Sequence, residues 1–64
     1  MENRTNYRIP QRYQHMIQLV MKDQDGVWIY LNDGYYNSTT DCEIIHEDTF
    51  AECMKQLRTV YKNS

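Results

Sequence analysis

Met16-Ile17-Gln18-Leu19-Val20-Met21-Lys22-Asp23-Gln24-Asp25-Gly26-Val27-Trp28-Ile29-Tyr30-Leu31 is the stretch whose reading decides the fold. Its last five residues read one way only. β-Branched, aromatic and aliphatic side chains alternate, so Val27, Ile29 and Leu31 point to one face and Trp28 and Tyr30 to the other. Its first six residues admit two readings. With period two, Ile17, Leu19 and Met21 share a face. As a helix begun near Pro10, Tyr13, Met16, Ile17, Val20 and Met21 recur at helical spacing. Asp23-Gln24-Asp25-Gly26 favours the strand, because an apolar run, an Asp-Gly turn and a second apolar run signal a hairpin.

Beyond this hairpin, Asn32-Asp33-Gly34 turns the chain, and residues 37–41 form a polar loop of side chains that bond their own backbone. Tyr35 and Tyr36 either prolong the second strand or sit on that loop. Residues 42–46 read as a third strand, with Cys42, Ile44 and His46 opposite Glu43 and Ile45. Thr49-Phe50-Ala51-Glu52 is a capping box, in which the Thr49 hydroxyl and the Glu52 carboxylate each satisfy an orphan amide. Phe50, Cys53, Met54, Leu57, Val60 and Tyr61 then recur at helical spacing as one apolar stripe. Acidic Glu47, Asp48 and Glu52 lie at the start of this helix and basic Arg58 and Lys62 at its end, as the helix dipole favours.

The predicted architecture is α+β: a three-stranded antiparallel sheet with one C-terminal helix packed on one face. It comprises a polar N-terminal arm over residues 1–15 and a single small domain over residues 16–62. The arm's large apolar groups are Tyr7, Ile9 and Tyr13. A chain of 64 residues buries only about 60% of the surface its unfolded form exposes, so one helix cannot cover both faces of a sheet. If Val27, Ile29 and Leu31 lie under the helix, Trp28 and Tyr30 are displayed, unless the arm folds across them.

Charge is segregated along the chain. Asp23, Asp25, Asp33, Asp41, Glu43, Glu47, Asp48 and Glu52 lie between Lys22 and Lys55 with no basic residue among them. The flanks carry Arg4, Arg8, Arg12 and Lys22 on one side, and Lys55, Arg58 and Lys62 on the other. The net charge of −2 thus conceals segments of +3, −8 and +3. An acidic, ring-bearing surface repels bare nucleic acid and attracts basic proteins. Turn and cap chemistry explains most of these acids singly. It does not explain why cations are missing from the whole stretch.

Little here points to catalysis, a cofactor or a metal. On a strand, Cys42 and His46 would stand about 13 Å apart, too far to share one zinc ion, and Cys53 adds only a third donor. Cys53 falls on the apolar stripe, and Cys42 has the acidic neighbours Asp41 and Glu43, which dull a thiol. Gly26 and Gly34 read as turn glycines, not as a phosphate loop. Two cysteines do not make a disulfide framework, whether or not they pair. No long apolar run suggests a membrane span or a signal core, so the cytoplasm is the expected location.

Asp23, Asp25, Gly26, Trp28, Gly34, Cys42, Asp48, Thr49 and Glu52 together resemble the pattern of the HicB antitoxins, over about residues 16–58. The resemblance departs before the Asp-Thr pair, where this chain has His46 and Glu47 in place of the family's usual glycine. It implies a partly RNase H-like sheet that neutralises a basic, RNA-cleaving toxin by covering it. Layout alone also looks like the arm-site DNA-binding domains of phage-type integrases, but those need a basic sheet.

The expected function is stoichiometric, non-enzymatic binding of a basic partner, such as a nuclease, a toxin or a nucleic-acid-binding protein. An antitoxin-like factor or a phage or mobile-element inhibitor that mimics nucleic acid would act so. Trp28, Tyr30, Tyr35 and Tyr36 supply anchors, while Asp33, Asp41, Glu43 and Glu47 supply steering charge. The rival expectation is DNA or RNA binding, with Arg4, Arg8 and Arg12 on phosphates and the sheet stacking on bases. A homodimer is the third class.

Overall fold

The computed structural model describes residues 7–38 and 41–63. Arg4, and Thr39 and Thr40 of the polar loop, lie outside the described residues. The elements are a helical turn α1 (Gln11–Gln14), strands β1 (Ile17–Asp23), β2 (Gly26–Leu31) and β3 (Ile44–Glu47), and helix α2 (Phe50–Lys62). The strands form one antiparallel sheet in the order β1-β2-β3, and α2 packs across β2 and β3. This is the α+β architecture the sequence predicts. No helix among the described residues is long and apolar enough to cross a membrane.

Alternation sets the core. Val27, Ile29 and Leu31 of β2 are buried, and Val20 and Ile45 stand opposite Ile29 on the two neighbouring strands. Cys53, Leu57 and Val60 of α2 close over them, and Tyr13 and Met16 complete the buried cluster. Phe50 and Met54 of the predicted stripe pack at its margin, whereas Tyr61 is left 40% exposed.

Residues 10–22 divide between the two readings. Pro10 precedes a short helical turn, and a strand follows it. The register shifts between Ile17 and Leu19, so Gln18 is an extra, exposed residue. Ile17, Leu19 and Met21 therefore do not share a face: Ile17 packs on the core, while Leu19 and Met21 stand opposite Tyr30 and Trp28. The segment before the strand is anchored more deeply than an arm. Tyr13 is buried and meets Tyr61 edge-on at 5.2 Å, and Tyr7 stacks on Phe50 at 4.2 Å. These contacts lay it along the helical side of the sheet rather than across Trp28 and Tyr30. Asn32 fixes the junction, its backbone N–H donating to the Met16 carbonyl at 2.8 Å and its side-chain amide to the His15 carbonyl at 3.0 Å.

The hairpin uses Gln24 and Asp25 as its two-residue turn, so Gly26 belongs to β2 and pairs with Asp23. Its importance is a close approach. Gly26 has φ +126°, and a Cβ there would run into the Glu47 carbonyl where β3 ends. The third strand is Ile44–Glu47 rather than residues 42–46, with Cys42 making only an isolated bridge to Asn37. Tyr35 and Tyr36 lie on the connection, not in a strand.

At the start of α2 the Thr49 hydroxyl accepts the Glu52 N–H at 3.3 Å, as predicted. The Glu52 carboxylate accepts the Thr49 hydroxyl proton at 3.1 Å, so the cap is formed through the two side chains instead of a second backbone amide.

Candidate interaction surface

The sheet face away from α2 is built from two cross-strand rows. Met21, Trp28 and His46 form the first, and Leu19, Tyr30 and Ile44 the second. All six are half-buried or nearly so, and none belongs to the core cluster on the other side. Their shelter comes largely from one another. Trp28 and His46 stack with centroids 3.6 Å apart and planes 8° apart.

Polar atoms around this stack are already bonded. The Trp28 indole N–H donates to Asp23 Oδ1 at 3.1 Å, and the Asp25 backbone N–H donates to the same oxygen at 2.8 Å. His46 Nε2 lies 2.9 Å from the Asp25 carbonyl, which only accepts, so Nε2 carries a proton. The indole bond above all, then the Asp25 amide, holds the exposed Asp23 carboxyl below the usual carboxylate range. The hairpin end of this face is therefore anionic and fixed.

The eight residues expected to form the site do not form one patch. Trp28 and Tyr30 share the open face. Tyr35 packs toward the core and meets the His15 ring edge-on at 5.5 Å. Tyr36 is 51% exposed on the connecting loop, and its hydroxyl donates to the Asp41 carboxylate, which pushes the Tyr36 phenol above its usual range. Asp41 itself takes a left-handed φ of 61°. Asp33 is exposed in the turn after β2. Glu47 is turned to the helical side, where its carboxylate accepts from Gln56 of α2, and alternation puts Glu43 on that side too. Gln56 in turn accepts from the buried Asn37 at 2.7 Å, so a polar chain ties loop, helix and sheet edge together.

Leu19, Met21, Ile44 and His46 are surface residues that the sequence reading did not select. Their signal was available in the alternation of the third strand and in hairpin pairing, once Val27, Ile29 and Leu31 were assigned to the core. The negative groups beside the rings are Asp23 and Asp25, not Glu43 and Glu47.

The sheet also sets where the cations lie. Alternation gives the open face no lysine or arginine among the described residues. Lys22 stands opposite Val27, at the margin of the other face. Arg12 lies in α1 with its guanidinium carbon 4.7 Å from the Tyr13 ring centroid, and Lys55, Arg58 and Lys62 are exposed on α2. Arg8 follows Tyr7 along the same helical side. The described cations of α1 and α2 thus lie away from the aromatic face, in company with Glu47 and Glu52.

Both thiols donate to carbonyls, Cys42 to Ile44 at 3.4 Å and Cys53 to Val27 at 3.5 Å. Burial pushes the Cys53 thiol up to about 11. Among the described residues no group of three metal-ligating side chains converges, and no pocket is detected. No family model, curated protein or solved structure matches this chain.

Proposed function

We propose that this protein acts by binding a basic protein through the open face of its sheet, with Trp28 and Tyr30 as anchors and Asp23 and Asp25 as the anionic end. The observation that carries this reading is the absence of any described lysine or arginine from the open face, where the rings lie beside a carboxylate bonded to the indole itself. Aromatic side chains held rigid by stacking lose little entropy on docking, which suits them to anchor an interface. Nearby carboxylates raise the association rate with a cationic partner and repel nucleic acid. The resemblance to HicB antitoxins implies one form of this reading, a stoichiometric inhibitor of a basic nuclease.

Nucleic-acid binding fits the arrangement less well. Arg12 sits against the Tyr13 ring, and a strand stacked on Trp28 and Tyr30 would find no described lysine or arginine on that face. The test is affinity capture from the native host with the wild type and with a Trp28→Ala, Tyr30→Ala double variant shown folded by circular dichroism. Wild type is expected to retain a basic protein that the variant loses, and neither should hold heparin at low salt. Equal capture by both forms would refute the assignment of the surface.

A further inference from the structure

Given that the open face is the contact surface for a basic protein, we infer that its occupant is a single amphipathic helix bearing lysine or arginine beside its apolar stripe. Dimensions come first. Three strands at about 4.8 Å spacing put the outer two about 10 Å apart, the width of one helix. The six residues of β2 run about 20 Å, the length of about 13 helical residues. On its other face the 13-residue α2 already runs across two of these strands, β2 and β3. A second helix would complete a helix–sheet–helix sandwich.

Hydrogen bonding selects helix over extended chain. At the centre of the face the Trp28 indole N–H and His46 Nε2 are bonded to Asp23 and Asp25. An extended segment laid there would bury its amides without partners, whereas a helix satisfies its own. A strand would have to add at the β1 or β3 edge instead, leaving the rings uncovered. Charge selects the flanks. The Asp23 carboxylate borders the face, Asp25 follows it in the turn, and no described lysine or arginine shares the face, so basic residues beside the stripe find a partner and acidic ones find repulsion.

The test uses the full chain and synthetic peptides of about 13 residues with leucine along one helical face and lysine beside it. Titration is expected to shift Trp28 emission to shorter wavelength, saturate at one peptide per protein and raise helical circular dichroism. Replacing the lysines by glutamates should weaken binding by about tenfold or more. Two central prolines should weaken it about a hundredfold. Leu19→Lys, which sets a cation on the face while keeping Trp28 as reporter, should also weaken it. Equal binding of the proline peptide through the same face would overturn the helical occupant and leave the basic-partner reading standing. A Trp28 shift that needs only higher protein concentration would point to a second copy and overturn both. The absence of any shift with the lysine peptide, while the host's basic protein is still captured through Trp28, would overturn the helix alone.

Discussion

The two faces of this sheet are made from alternate residues of the same three strands, yet they gain their shelter differently. Under α2, Val20, Val27, Ile29, Leu31 and Ile45 are 0–8% exposed because another element covers them. On the open side, Leu19, Met21, Trp28, Tyr30, Ile44 and His46 remain only partly covered, and stacking between neighbouring strands provides much of that cover. One face is closed by packing from outside, while on the other Trp28 and His46 lie flat on one another. The first stabilises the fold through area removed from water. The second keeps a ready apolar surface while limiting what it shows to solvent, and no described lysine or arginine lies on it.

Substitution at paired positions breaks this comparison most directly. Ile29→Ala should cost about 2–5 kcal/mol, enough to bring a domain of this size near its unfolding threshold. Trp28→Ala, one residue away and a larger deletion, should cost less, about 1–3 kcal/mol, from the lost stack, the indole bond to Asp23 and the ring's partial burial. Urea denaturation of both variants measures the contrast, and equal losses would mean the faces are not distinct. Gly26→Ala comes next, at about 1–3 kcal/mol, because a side chain there meets the Glu47 backbone at a φ that L-residues avoid. Its effect should appear as lost pairing between β2 and β3, visible as faster amide exchange at Ile45 and Glu47.

Cys53 sharpens the comparison through pH. Its thiol, an ordinary 9.0 when unfolded, is held at about 11 in the core. Above pH 9 the unfolded chain therefore binds fewer protons than the folded one, so stability falls as pH rises from 9 toward 11. A Cys53→Ala variant should flatten that part of the profile. Thr49→Ala should have the smallest effect, about 1 kcal/mol, by removing the cap of the helix that covers only one face. Thermal melts should then show a loss of stability with the Trp28 environment unchanged until unfolding.

Much of this fold is legible in short stretches. The alternation at residues 27–31 fixes the central strand, Thr49 and Glu52 fix the start of α2, and the spacing of Cys53, Leu57 and Val60 fixes its buried side. What escapes is set by contacts far along the chain. The extra residue at Gln18 reverses the side on which Ile17 stands relative to Leu19, and a polar glutamine in a strand gives no local sign of it. Tyr13 looks like a residue of a polar arm until α2 arrives to enclose it. Glu47 reads as free steering charge, yet Gln56 draws it to the helical side. Asn37 reads as a loop residue, yet it is buried and bonded to Gln56 and to the Ile44 carbonyl at 3.3 Å. Of the candidate surface, the two central rings could be read from parity alone, whereas the partners that frame them required the register.

The edge-to-face contact between Tyr13 and Tyr61, with Leu57 and Val60 nearby in the same cluster, joins early and late parts of the chain. Synthesis on the ribosome delivers them in that order. Until the final turns of α2 emerge, Tyr13, Met16 and Ile29 have nothing to close over them, and the nascent hairpin must wait with both sides wet. Completion of this domain thus waits on α2 and is concerted rather than stepwise.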